Sequence, residues 1–204
     1  AKTLFPYTTL FRSHARRQRR RQLFPVLFLR YTEGQRKEKS SGKAERGEAG
    51  SFRYAHYRSG SFCKRYGVEE VKTWYFEVWN EPNLSPGFWT GTQQDYFKLY
   101  QHTAKAVKSV NSEYKVGGPA TAGAAWVPET IAFCAENNVP IDFISTHSYG
   151  VKQGFLDEFG TTGTILNKDE FSVSEDVMNS RKQISESKIP NLELHYTEWS
   201  SSYT

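Results

Sequence analysis

From residue 51 onward, short apolar runs alternate with longer amphipathic stretches. Residues 52–66 are weakly helical, with aromatics at Phe52, Tyr54, Tyr57, Phe62 and Tyr66. Gly67 fits the stop, since glycine takes the left-handed conformation without a Cβ penalty. Val71 to Val78 is short, aromatic and β-branched, which predicts a strand, and the turn residues NEPNLSPG follow it. The clearest helix runs from Thr92 to Asn111. Thr92 and Asp95 make a capping-box-like start, and Tyr96, Leu99, Tyr100, Val107 and Val110 fall on one face. Lys115 to Gly118 reads as a buried strand, and Pro128 to Asn137 as a helix with proline in its first turn. Ile141 to Thr146 is the next strand. Ser172 and Glu175 form a second S-x-x-E start for a helix to about Ser187, and Leu192 to Thr197 is the last strand.

The order β-α-β-α-β-α-β argues for a parallel sheet with crossover helices. An open doubly wound sheet and a (β/α)8 barrel both satisfy it. No G-x-G-x-x-G follows any strand, so the nucleotide-binding version lacks its signature. The polar clusters fall just past strand C-termini, where barrels carry their chemistry: Asn80 and Glu81, then His147 and Tyr149, then Glu198. The expected fold is therefore α/β, an incomplete (β/α)8 TIM barrel. Four units make about half a barrel, so a fragment at both ends is expected.

Charge divides the chain. Of its 204 residues and net +5, positions 1–50 hold 13 Lys and Arg against 4 Glu, a net of +9; positions 51–204 net −4. The run HARRQRRRQ (His14 to Gln22) reads as a nucleic-acid patch, a solvated tail or non-native sequence. TLFPYTTLFRS (Thr3 to Ser13) looks like the translation of a common sequencing-library adapter. Residues 1–50 are therefore expected to be a disordered, non-native segment outside the fold, and any signal peptide to have been lost. With the basicity set aside, nucleic acid is not an expected partner. No run approaches ~18 apolar residues, so no membrane span is expected. Cys63 and Cys134 make no disulfide framework. His56, His102, His147 and His195 lack metal-ligand spacing, so neither metal nor cofactor is expected.

Two glutamates carry the candidate chemistry. Glu81 follows an apolar strand, where partial removal from water favours the protonated carboxyl that a general acid needs. Glu198 ends the last strand beside Trp199, whose indole offers a flat apolar face. Either alone reads as a turn or surface residue. Together, at the ends of two barrel strands, they can flank one glycosidic bond.

At these residues the chain resembles glycoside hydrolase family 39. WYFEVWNEPNL (Trp74 to Leu84) is similar to the acid/base motif of the retaining (β/α)8 glycosidases. FISTHSYG (Phe143 to Gly150) and HYTEWSSSYT (His195 to Thr204) resemble that family in particular, its bacterial β-xylosidase branch most closely. The resemblance runs from about Phe62 to Thr204. It implies strands four to seven of the barrel, with Glu81 as acid/base and Glu198 as nucleophile. It also implies Asn80 holding the sugar 2-hydroxyl, and His147 and Tyr149 in the pocket, Tyr149 hydrogen-bonding the nucleophile. Trp79, Phe88, Trp89 and Trp126 are candidates either to stack on sugar or to pack. The implied activity is double-displacement cleavage of β-xylosidic bonds in xylo-oligosaccharides, with carboxyl groups ~5–5.5 Å apart. The alternatives are another glycoside, such as an iduronide, and a catalytically dead carbohydrate-binding relative. The polypeptide by itself is expected to be inactive or prone to aggregate, since an unclosed barrel exposes sheet edges.

Overall fold

In the computed structural model, the structure describes residues 26–27, 55–57, 59–85, 87–153, 165–166 and 169–201. The strands are β1 (Val26–Leu27), β2 (Tyr75–Val78), β3 (Lys115–Thr121), β4 (Phe143–Ser148), β5 (Val151–Gln153), β6 (Ile165–Leu166) and β7 (Glu193–Trp199). The helices are α1 (Val68–Val71), α2 (Gln93–Val110), α3 (Val127–Glu136) and α4 (Ser172–Ser185), preceded by helical residues 55–57 and 59–66. Five strands form one parallel sheet in the order β1-β2-β3-β4-β7; β5 and β6 make a small antiparallel pair. The alternation of the sequence is thus realised as an α/β fold with a parallel sheet. Among the described residues, no helix is long and apolar enough to cross a membrane.

Two details add to the expectations or depart from them. The first is a two-residue strand within the segment expected to lie outside the fold: Val26 and Leu27 pair in register with Glu77 and Val78. The apolar run LFPVLFL is the stretch in that basic segment with the composition of a strand. The rest of 1–50 lies outside the described residues, as do Phe52 and Tyr54. The second concerns α4. The Thr92–Asp95 capping box at α2 forms in both directions, but Phe171 caps α4 and its side chain accepts no hydrogen bond. The free N–H of Phe171 goes instead to Asp169 Oδ1 at 2.9 Å, so the S-x-x-E pattern at Ser172 is not used.

Period-two alternation sorts the strand residues. Phe76, Val78 and Val116 join the α2 residues Tyr96, Leu99, Tyr100 and Val107 in one core cluster; Ile144 joins Val127, Ile131, Ile184 and Leu192 in another. These outward side chains hold the helices on the sheet. The inward set is different: Tyr75, Glu77, Phe143, Ser145, His147, Glu193, His195 and Thr197. Gly117 sits under the Phe143 ring, where a Cβ would lie 2.6 Å from the ring carbons, so the inner face needs glycine there.

Inward side chains meet across the sheet. Tyr75 donates to Glu193 at 2.7 Å and Thr197 donates to Glu77 at 2.8 Å, although β2 and β7 stand three strand steps apart. In a flat sheet three steps are about 14 Å, more than these side chains can close. The sheet therefore curves into an arc of a barrel around a polar interior.

Candidate active site

The site stands at the C-terminal ends of β2, β4 and β7. The chain leaves β2 through two residues with positive φ, Trp79 at 70° and Glu81 at 47°. Such conformations are uncommon for non-glycine residues and cost on the order of 1–3 kcal/mol each. The turn is fixed from β3. The Glu81 N–H donates to the Ala120 carbonyl at 2.8 Å, and Asn83 brackets Ala122 with two side-chain hydrogen bonds of 2.9 Å, one donated and one accepted. Ala120 is itself an extra residue in β3: Pro119 pairs with Ser145 and Thr121 with Thr146, leaving Ala120 bulged with φ 53°. Bulges beside active sites commonly re-aim a group, and this one offers its carbonyl to Glu81.

Asn83 was not singled out in the sequence, although it completes the NEPN motif. Removing it orphans the N–H and the carbonyl of Ala122. Asn83→Ala is expected to lower unfolding stability by about 1–3 kcal/mol, read as a shift in the urea midpoint with an unchanged slope.

Glu81 is buried, and its Oε1 lies 2.9 Å from His147 Nδ1. The same nitrogen is 3.7 Å from Glu198 Oε2, and Tyr149 donates its hydroxyl to that oxygen at 2.7 Å. Glu81, His147 and Glu198 each present one atom within 4.8 Å of the others. Three strands bring together four of the residues the sequence nominated: Glu81, His147, Tyr149 and Glu198. The atoms are close enough to crowd a small cation, but the imidazole nitrogen facing the carboxylates is engaged by Glu81. The donor set is that of proton transfer between carboxyls and an imidazole.

Electrostatics follow from this crowding. Burial pushes the His147 imidazole down, but the hydrogen bond to Glu81 and the charges of Glu198, Glu77 and Glu81 outweigh it and hold the group above its ordinary value. Burial, then the bond to Glu198, raises the Tyr149 phenol, which stays a donor at working pH. A histidine raised in the folded state contributes stability in full below its unfolded value of about 6.5. That contribution is lost as pH rises through the folded value. The stabilisation that His147 provides relative to His147→Asn should therefore shrink as pH rises above about 6.5, read as the difference between the two thermal midpoints.

The remaining nominees divide. Asn80, half-buried between the two strained residues, makes no side-chain hydrogen bond to another described residue. Trp79 packs: its ring centroid is 5.2 Å from that of Trp89, and its indole N–H donates to the Phe88 carbonyl. Trp89 is buried, and Trp126 packs edge-on and tilted against Phe97 and Tyr96. Trp199 and Phe88 are exposed, Trp199 at 69%. Sequence reasoning missed Glu77, whose buried carboxyl lies on the same inner face.

The family model described as Glycosyl hydrolases family 39 matches residues 57–204. A β-xylosidase of Caldicellulosiruptor saccharolyticus is 48% identical over 138 residues, 68% of this chain and 27% of that protein. Among solved structures, the GH39 enzyme of Xanthomonas axonopodis pv. citri is 51% identical with a TM-score of 0.70, over 78% of this chain and 31% of that one. A monomeric β-xylosidase from Caulobacter crescentus CB15 is 48% identical with a TM-score of 0.66, over 79% of this chain and 32% of that one. The chain spans about a third or less of the length of these relatives. The match takes in both strand-end glutamates and the strands that carry them, and the chain belongs to glycosyl hydrolase family 39.

Proposed function

We propose that this chain carries the catalytic residues of a retaining β-xylosidase, which cleaves β-xylosidic bonds of xylo-oligosaccharides by double displacement. Residues 51–204 supply the catalytic unit in this reading, and the basic residues before them supply none of its chemistry. One observation carries it: two carboxylates at the ends of parallel strands present oxygens within 4.8 Å of each other. Inverting enzymes need roughly 6.5–9.5 Å between carboxyls to admit a water, whereas retaining ones need about 5–5.5 Å. Xylose is preferred over other sugars because relatives about half identical to this chain are β-xylosidases.

The roles follow from the surroundings. Glu198 is the nucleophile: it is the more open of the two, and Tyr149 holds one of its oxygens so that the other can reach the anomeric carbon. Glu81 protonates the departing oxygen, then takes a proton from the incoming water. The His147 imidazole next to it stabilises the carboxylate that each protonation leaves behind. In this reading the Asn80 amide, which makes no other side-chain hydrogen bond among the described residues, holds the sugar 2-hydroxyl, a bond that tightens as the oxocarbenium-like state forms.

The test is an exchange. Residues 57–204 replace the matching segment of a full-length β-xylosidase relative, and release of p-nitrophenol from its β-xyloside is followed with the product anomer read by NMR. Turnover with a β-xylose first product supports the proposal. A folded exchange enzyme without turnover, or one giving the α anomer first, would sink it.

A further inference from the structure

We propose that Glu77 is a positioning residue for Glu198: through Thr197 it pins the bulge in β7 that turns Glu198 into the pocket. The proposal rests on the site described above and adds to it a residue that touches neither substrate nor reacting atoms.

The argument begins with alternation. On β7 Glu193 and His195 face inward, against Tyr75. Leu194 and Tyr196 face outward, Leu194 against the second core cluster and Tyr196 with its hydroxyl at Ser180 of α4. Strict period two would then put Thr197 inside and Glu198 outside, against α4. Both are inside. Thr197 reaches Glu77, and Glu198 reaches Tyr149. The register explains how: Thr146 pairs with Tyr196 but His147 pairs with Glu198, so Thr197 is an extra residue opposite no partner. A bulge re-aims the residues next to it, and here it reverses the side on which Glu198 would emerge.

An unpaired residue needs something to hold it. The Thr197 hydroxyl donates 2.8 Å to Glu77 Oε1, crossing the barrel interior from β7 to β2. Glu77 is 3% exposed, and its backbone is locked between Val26 and Gly117. Ser145, fully buried on β4 and without a well-formed hydrogen bond, lies beside the same carboxyl. Among the described residues, the charged and titratable groups around Glu77 are His147 from β4, Glu198 from β7 and Tyr96 from α2. Burial pushes the Glu77 carboxyl up, with the Ser145 and Thr197 hydroxyls pulling back.

The Tyr149 hydroxyl reports where Glu198 points, because it donates to Glu198 Oε2. The experiment labels tyrosine Cζ with 13C in the full chain at neutral pH and assigns Tyr149 with Y149F. E198Q marks the resonance of a Tyr149 that has lost its carboxylate. Thr197→Val, which keeps the volume and removes the hydroxyl, should move the signal toward the E198Q position. Glu77→Leu should do the same, whereas Thr197→Ser and Glu77→Gln, which keep donor and acceptor, should leave it in place. In the exchange enzyme, Thr197→Val should lower kcat about 10²-fold, the scale of an ångström misplacement, with KM little changed. A folded Thr197→Val chain with an unmoved Tyr149 signal would overturn the proposal. So would Glu77→Gln moving it as far as Glu77→Leu, since the carboxyl would then act as a charge rather than as an acceptor. The NMR readout needs no turnover, so a failed xylosidase assay would refute the activity and leave this result standing.

Discussion

Glu198→Gln is expected to lower aryl β-xyloside turnover of the exchange enzyme on the order of 10⁵-fold, the scale on which a lost covalent nucleophile is felt. Glutamine keeps the shape and can still accept from the Tyr149 hydroxyl, so the fold and substrate binding should survive and KM should change little. In the proposed role, what disappears is the anionic oxygen that would attack the anomeric carbon. Around Glu198, the Tyr149 hydroxyl donates to Oε2 at 2.7 Å and His147 Nδ1 stands 3.7 Å from that oxygen. The companion variant Glu198→Ala opens the volume of the carboxylate. Added azide should enter it, restore turnover and give α-xylosyl azide, the configuration of a single inversion. The measurement is kcat and kcat/KM with the anomer of the azide product. Glu198→Gln retaining a hundredth of the activity, or a β azide from Glu198→Ala, would remove Glu198 from the role of nucleophile.

Much of this arrangement is legible along one strand or helix at a time. The α2 helix declares itself by its apolar face and by a Thr92–Asp95 capping box that forms as written. Glu81 and Glu198 declare themselves by standing at the ends of apolar strands. What stays hidden depends on two elements at once. Ser172 and Glu175 carry the same cap pattern as Thr92 and Asp95, but Asp169 takes the first free N–H and the pattern goes unused. Ala120 and Thr197 look like ordinary strand residues, because a bulge exists only relative to the neighbouring strand's register. Glu77 reads as one polar residue in an aromatic strand. Its meaning comes from Thr197, which alternation along β2 cannot reveal. Trp79, Trp89 and Trp126 illustrate the converse. Aromatic residues near a sugar motif suggest stacking, and here they are engaged in packing against one another, Tyr96 and Phe97.

Glu81→Ala is expected to divide substrates by their leaving groups. With xylobiose, whose departing alkoxide needs a proton, kcat/KM of the exchange enzyme should fall about 10²–10⁴-fold, the usual worth of a positioned general acid. With 2,4-dinitrophenyl β-xyloside, whose phenolate leaves without help, the first step should be nearly spared. The second step still lacks its base, so a xylosyl-enzyme on Glu198 should accumulate, with a burst of dinitrophenol and a depressed KM. Azide needs no deprotonation. It should attack that intermediate, raise kcat and give β-xylosyl azide, the retained configuration and the opposite of the Glu198→Ala product. The physical reason lies in how Glu81 is held. It is buried on a positive-φ turn, tied to Ala120 through its own N–H and bonded to His147 through Oε1. The backbone strain is thereby met by contacts that fix where the carboxyl stands, as the proposed acid/base role requires. Equal losses for both leaving groups would show that Glu81 orients the sugar rather than moving a proton. The paired azide products, α from one glutamate and β from the other, would assign the two roles within one pair of experiments.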